Sequence, residues 1–292
     1  MEKAPVNFKQ QRDFGEVFNA TFAFIGQEIK PLGKAVLFFV LPILIITAIL
    51  QVFVGIEYQK FMATIQTNSD FVAANPFAAM GGIYKYMFFY LLVYLLAFSA
   101  LRCTIYSYIK TYIEKGKDQF TLTDVWAEVK RFILPIIGTS ILIGLLVLIG
   151  YIFCILPGIW LGVSLSLIFI AMIFEGKGMG DAFSRSFSLT KQSWWNTLAI
   201  LLICGILVYI LNLILSVPSM LLGMKSLFAS FKNLQEGGSM NFSTSYFVVN
   251  AITSLVGYIL FSIPAIAIAF QYFNLREITE RPSLDEKIEQ IG

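Results

Sequence analysis

The stretch Phe132–Phe174, FILPIIGTSILIGLLVLIGYIFCILPGIWLGVSLSLIFIAMIF, contains no charged residue. Drawn as one α-helix it would extend roughly 65 Å at 1.5 Å per residue. A bilayer's hydrocarbon core is only ~30 Å thick, so the run must cross twice. Pro157-Gly158 sits where the reversal is needed, and both residues favour turns. The stretch therefore predicts two spans, Phe132–Leu156 and Ile159–Phe174, joined as a tight hairpin.

Four more apolar runs are long enough to span. They are Ala35–Ile56, Tyr86–Ile109 (interrupted only by Arg102), Asn196–Val217 closed by Pro218, and Ser245–Phe273. Pro42, Pro135 and Pro264 lie in or near the starts of spans, where membrane helices tolerate them as kinks. Composition agrees. The chain is 58% hydrophobic and 13% charged, against about 25% charged in soluble domains. A globule so poor in charge cannot coat itself for water, and a bilayer removes the need. The expected fold is an all-α polytopic membrane bundle of six spans.

The loops set the orientation. The face holding residues 1–34, 110–131, 175–195 and the tail Arg276–Gly292 carries 16 Lys and Arg; the opposite face carries four, Lys60, Lys85, Lys225 and Lys232. The positive-inside rule places the first face, with both termini, in the cytoplasm. Residues 1–34 mix five basic and four acidic residues with no short apolar core, so no signal peptide is expected. The opposite-face loops are poor in charge, and Met220–Leu234 reads as a stretch lying on the membrane surface. The tail mixes signs and reads as a short solvated helix or frayed end.

Several chemistries are excluded. Histidine is absent, which removes Ser-His and Cys-His nucleophile pairs, His-ligated zinc and haem, and histidine proton shuttles. Cys103, Cys154 and Cys204 lie inside apolar runs with no zinc or redox spacing. Net charge is +3 and unclustered, so no nucleic-acid partner is expected. Nothing calls for a cofactor or metal, and the expected partners are lipids and other membrane proteins.

The sequence also repeats itself. Gly15-Glu16-Val17-Phe18-Asn19-Ala20-Thr21-Phe22 aligns without a gap on Gly180-Asp181-Ala182-Phe183-Ser184-Arg185-Ser186-Phe187, and Gln27 falls on Gln192. Asp124-Val125-Trp126 matches the start of the pattern more weakly. Phe14, Phe18 and Phe22 recur at helical spacing, joined by Ile25 and Ile29. Asp13-x-x-Glu16 and Thr121-x-x-Asp124 resemble capping boxes. The chain thus reads as one membrane domain of three units, 1–121, 122–175 and 176–275, followed by the tail 276–292. Each unit is an amphipathic cytoplasmic helix followed by a two-span hairpin. Residues 14–30 and 179–194 are expected to lie flat at the interface. Phe18, Phe22, Phe183 and Phe187 would then sink toward lipid, and Lys30, Arg185 and Lys191 would face anionic headgroups or a partner.

Leu156-Pro157-Gly158-Ile159-Trp160-Leu161, Phe174-Glu175-Gly176-Lys177-Gly178 and Ala182-Phe183-Ser184-Arg185-Ser186-Phe187-Ser188-Leu189-Thr190-Lys191-Gln192-Ser193-Trp194-Trp195 together carry a resemblance. Over residues 155–200 the chain resembles bacterial six-span proteins typified by the membrane domain of some glycerophosphodiester phosphodiesterases, and related inner-membrane families. The resemblance implies six-span topology in a bacterial inner membrane. In that family the phosphodiester chemistry belongs to a separate soluble domain, so the activity is not carried over to this chain.

The candidate sites are few. Arg102 lies near the cytoplasmic aromatics Tyr106 and Tyr108, and reads as a snorkelling or structurally bonded residue more than a reactive one. Asn212 and Asn250 read as interhelical partners for each other or for backbone. Gly158, Gly162 and Ser166 place small residues four apart, a seam for close helix approach. Gly178-Met179-Gly180-Asp181 resembles the short motif of membrane aspartyl proteases but lacks an evident second carboxylate. Two functions compete: a non-enzymatic scaffold, assembly partner or lipid-organising component, and a transporter or lipid translocator. A polar cavity at the midplane around Arg102, Asn212 or Asn250 would favour the second.

Single cysteines placed at Asn68 and Lys115 in a background without native cysteines test the topology. An impermeant thiol reagent should label them from opposite sides. Labelling of both from one side would sink it.

Overall fold

A computed structural model describes residues 4–153, 155–235 and 242–280. It is helical, with no strand among the described residues. In chain order the helices are α1 (Phe14–Phe39), α2 (Leu41–Thr67), α3 (Ser69–Ala74), α4 (Pro76–Ala79), α5 (Gly81–Lys115) and α6 (Leu122–Phe153). There follow α7 (Ile155–Ser164), α8 (Ile168–Glu175), α9 (Met179–Lys191), α10 (Trp194–Gln235), α11 (Thr244–Ile259) and α12 (Ser262–Thr279). Six segments are long and apolar enough to cross a membrane: α2, α5, α6, α7 with α8, α10, and α11 with α12. The fold is an all-α polytopic membrane bundle.

Several boundaries differ from the sequence reading. The first span begins at Leu41, not Ala35. Residues 35–39 finish α1, where Ala35 and Val36 are buried. The helix breaks at Val40, next to Pro42, which has no N–H to continue the bonding. An apolar run does not distinguish a lipid-facing residue from one packed on protein. α10 runs unbroken through Pro218, so Met220–Phe231 extends the fifth span and is not a separate surface helix. A proline inside a helix removes one backbone bond. At Pro218 the carbonyl that loses this bond belongs to Ile214; nearby, the Ser216 hydroxyl donates to the Leu213 carbonyl and the Ser219 hydroxyl to the Ser216 carbonyl, both at 2.8 Å.

The hairpin of the opening stretch exists, but it turns elsewhere. α6 ends at Phe153 and α7 begins at Ile155. Pro157-Gly158 therefore sits in the first turn of α7, where a missing N–H costs nothing. The reason for glycine there is contact. A Cβ on Gly150 would lie 3.0 Å from the Cα of Gly158, and one on Gly158 would lie 2.8 Å from the Tyr151 ring. The small-residue seam is thus internal to the hairpin. Gly162, in contrast, has nothing within 4 Å of where a Cβ would be. Ser166 is not on a continuous helix at all, since residues 165–167 are turns separating α7 from α8. The sixth span is broken in the same manner at Leu260–Phe261, ahead of Pro264. The expected second amphipathic helix is simply the first turns of α6, continuous with its span. Beyond Glu280 the expected solvated tail lies outside the described residues.

Packing groups the chain into two compact units. The first comprises Met1–Val40, Phe98–Leu207 and Phe261–Gly292; the second comprises Leu41–Ala97 and Val208–Leu260. In the first, α1 packs against α12, α8 against α9, and α6 against α7. Its centre is aromatic. Phe8, in the bend before α1, is 1% exposed. Its ring stacks on Phe270 at 4.1 Å and meets Phe24, Tyr112 and Phe273 edge-on. Burying such a ring contributes about 1.5–3 kcal/mol. In the second unit α2 packs along α11, and the Gln51 amide donates to the Ser254 hydroxyl at 3.1 Å.

Gly150→Leu should force α6 and α7 apart and destabilise the detergent-held protein by about 1–3 kcal/mol, the usual range for overpacking. Gly162→Ala should leave the melting temperature unchanged or slightly raised. Equal loss in both variants would mean that the close approach is not at Gly150–Gly158.

Candidate functional site

The two repeat copies fold with the same buried register. Val17, Thr21 and Phe24 of α1 are each 0% exposed, and so are Ala182, Ser186 and Leu189 of α9, 165 positions later. In both helices this row faces protein, so neither is a free surface arm. The aromatic rows lie elsewhere. On α1, Phe14 is 38%, Phe22 46% and Ile29 60% exposed, while Phe18 is half-buried and touches Phe14. On α9, Phe183 and Phe187 are half-buried, pack on each other at 4.9 Å and reach Trp160 at 5.3 Å. α1 begins with the expected capping box: the Glu16 N–H donates to Asp13 at 2.7 Å and the Asp13 N–H to Glu16 at 3.0 Å.

The stretch from Leu156 to Trp195 closes on itself. Gly176 caps α8 in the left-handed region at φ +63°, a conformation glycine adopts without strain. The turn it makes returns α9 alongside α8. The Ser186 hydroxyl then donates to the Ser164 carbonyl at 2.6 Å, at the break between α7 and α8. Arg185 Nε donates to Glu175 at 2.8 Å, and its terminal nitrogens form a fork on Glu280. Lys177 approaches Glu175 at 2.9 Å, and the Tyr272 hydroxyl also donates to it. Arg276 lies 3.5 Å from Glu280, one turn away on the chain. One hub of two carboxylates, three cations and a phenol thus ties α8, α9 and the end of α12. Sequence reading offered Arg185 to headgroups; instead its side chain is only 14% exposed and spent on carboxylates. Lys191, in the last turn of α9, does remain exposed. The Arg185 fork holds the Glu280 carboxyl below its ordinary value.

A second buried carboxylate was missed. Glu28 is 1% exposed and accepts the Tyr108 hydroxyl at 2.6 Å, while its other oxygen has no hydrogen-bond partner. It falls on the row of Val17, Thr21 and Phe24, and only a choice of that row over the aromatic one would have flagged it. The N-terminal segment was missed too. The backbone N–H of Arg12 donates to Asn274 at 2.8 Å, and its guanidinium bonds back to the carbonyls of Asn7, Phe8 and Gln10. Asn274 continues to Gln271 at 3.4 Å, and Gln271 to Thr197 at 3.1 Å. Arg102 is half-buried. Its guanidinium sits 4.0 Å from the Phe98 ring centre and 5.1 Å from that of Phe169, a cation–π setting that suits a structural role.

Asn212 and Asn250 meet, but across a space. In the second unit they line a cleft of about 220 Å³ with Tyr209, Leu213, Ser216, Thr253 and Ser254. The Asn212 amide donates to the Val208 carbonyl of its own helix at 2.9 Å, not to Asn250. Its oxygen lies against Gly257, where a Cβ would come within 2.0 Å. A side chain at Gly257 would displace the Asn212 amide from this position. No Asp, Glu, Lys or Arg lines the cleft. Among the described residues no cluster of acidic or cysteine side chains suited to a metal ion occurs.

No protein-family model, curated protein or solved structure matches the chain.

The hub generates a pH prediction. Because the folded-state value of Glu280 is depressed, its stabilising effect is complete above the unfolded carboxylate value of about 4.3. It is lost as pH falls through the depressed folded value. Hydrogen exchange over residues 179–191 should therefore stay slow at neutral pH and quicken only below the ordinary carboxylate range. Arg185→Gln should give fast exchange there at neutral pH as well. A variant as protected as the parent would remove the hub as the tie between α9 and α12.

Proposed function

We propose that the protein is a non-enzymatic, multi-pass component of a bacterial inner membrane, with both termini cytoplasmic, that organises lipid around its spans. The observation that carries this reading is the two-sided character of α1. One row, Val17, Thr21, Phe24 and Leu32, is buried in protein, and another, Phe14, Phe22 and Ile29, stays outward. α1 leads within one residue into a spanning helix. An outward apolar row held that close to a bilayer is satisfied by acyl chains. The orientation rests on the asymmetry of 16 against four basic residues, and the bacterial membrane on the motif at 155–200.

A lipid translocator is the second reading. It draws on the interrupted spans at 165–167 and 260–261, since broken helices commonly form translocation sites. The polar cleft argues for it less than a midplane cavity would. Asn250 is six residues from the start of α11, about 9 Å along the helix, and hence near one end of its span.

Extraction of native membranes into polymer-bounded discs tests the first reading. Lipids retained by the protein should differ in composition from the bulk membrane, and Phe18→Ser with Phe22→Ser should move them back toward bulk. Retained lipid identical to bulk would remove the proposal. Reconstitution with headgroup-labelled lipid tests the second: transfer between leaflets faster than in protein-free vesicles would replace scaffold with translocator.

A further inference from the structure

We infer that the cleft between α10 and α11 is a binding site for a lipid whose headgroup is uncharged and bears hydroxyl groups, as in diacylglycerols and neutral glycolipids. The inference does not depend on α1 or on the scaffold reading. The cleft's size, exposure, depth and hydrogen-bonding chemistry each narrow what can occupy it.

At about 220 Å³, the space would hold roughly seven waters at ~30 Å³ each. That is too roomy for a bare ion and suits a glycerol-sized or sugar-sized group. Its flanks face outward, with Tyr209 65% and Leu213 46% exposed. In a spanning segment, outward means toward lipid. The site also lies near the end where α11 starts, since Asn250 is about 9 Å along that helix. Headgroups and glycerol backbones occupy this level, and acyl chains fill the level beneath it.

Hydrogen bonding sets the class. The hydroxyl protons of Ser216 and Thr253 are already given to the carbonyls of Leu213 and Asn250. Their oxygens therefore present only lone pairs to the cleft. The Ser254 hydroxyl accepts from Gln51 and keeps its proton to donate. Asn250 contributes an amide that both donates and accepts. A ligand hydroxyl, itself donor and acceptor, matches this mixture. A phosphate offers acceptors alone and brings negative charge, and no cation lines the cleft to offset it. Leaving these polar groups against hydrocarbon would cost free energy for each unsatisfied one. Beneath Ser254 the interior closes, with only about 30 Å³ left among Thr47, Gln51, Tyr90, Tyr94 and Tyr258. The site is thus a shallow lateral berth and not the mouth of a channel.

A photoactivatable diacylglycerol in nanodiscs of zwitterionic phospholipid supplies the test. Crosslinked peptides should map to residues 205–222 or 244–260. Asn250→Leu should weaken labelling about tenfold, the change expected from losing one good polar contact. Should that variant fold poorly, Thr253→Val removes an acceptor at constant volume and should weaken labelling in the same direction. Unlabelled diacylglycerol or a neutral glycolipid should compete, and phosphatidylglycerol and free glycerol should not. Labelling unchanged in both variants would overturn the proposal, as would equal competition by phosphatidylglycerol. Competition by free glycerol at matched concentration would reassign the site to a water-borne polyol and overturn the lipid assignment. Normal lipid retention with lost diacylglycerol labelling in Asn250→Leu would separate this site from the one formed by α1.

Discussion

A backbone carbonyl exposed to hydrocarbon has no water to bond, so each interruption of a spanning helix needs a partner supplied by the protein. The hydrogen bond from Ser186 to the Ser164 carbonyl meets that requirement at the break between α7 and α8. Much of the first unit depends on it. It requires α9 to lie along α8, which requires the tight return at Gly176, which in turn places Arg185 over Glu175. Ser186, buried on the repeat's inward row, has a counterpart in Thr21. That residue is equally buried, but bonds the Val17 carbonyl of its own helix at 2.7 Å. The two copies share a register and use it differently.

The second unit places its polar side chains differently. Serine and threonine hydroxyls along α10 and α11 bond carbonyls of their own helices. Gln51 bridges to Ser254. What remains open is the cleft, where Asn212 and Asn250 face a common space lined by polar but uncharged groups. Coupled ion transport usually draws on charged groups within the membrane, and the cleft between α10 and α11 holds none.

Much of this was legible in the sequence because bilayer thickness is a hard ruler. An uncharged run as long as Phe132–Phe174 had to fold back, and it does. Local punctuation was less legible, since proline and glycine have several uses. Pro157-Gly158 reads equally as a turn or as the first turn of a helix, and Pro218 as a stop or as a tolerated defect. Only three-dimensional neighbours decide between them. The repeat was visible, but the choice of its buried face was not: aromatic side chains mark a lipid-facing row as readily as a core row. Glu28 escaped for that reason. Arg185 was misassigned because its partner Glu280 lies 95 residues away, beyond any periodic signal. Asn212 and Asn250 were found, since amides in apolar runs stand out, although the space between them was not.

The placement of Phe8 has a consequence for how the chain is made. Its seat is formed largely by Phe270 and Phe273, and the adjoining Arg12 amide bonds Asn274, 262 residues downstream. At roughly 5–20 residues per second, the ribosome needs on the order of half a minute to deliver those partners. Throughout that interval Phe8 and Arg12 lack these partners, while one span after another enters the bilayer. Their segment therefore reaches its final place only after the chain through Asn274 has been made.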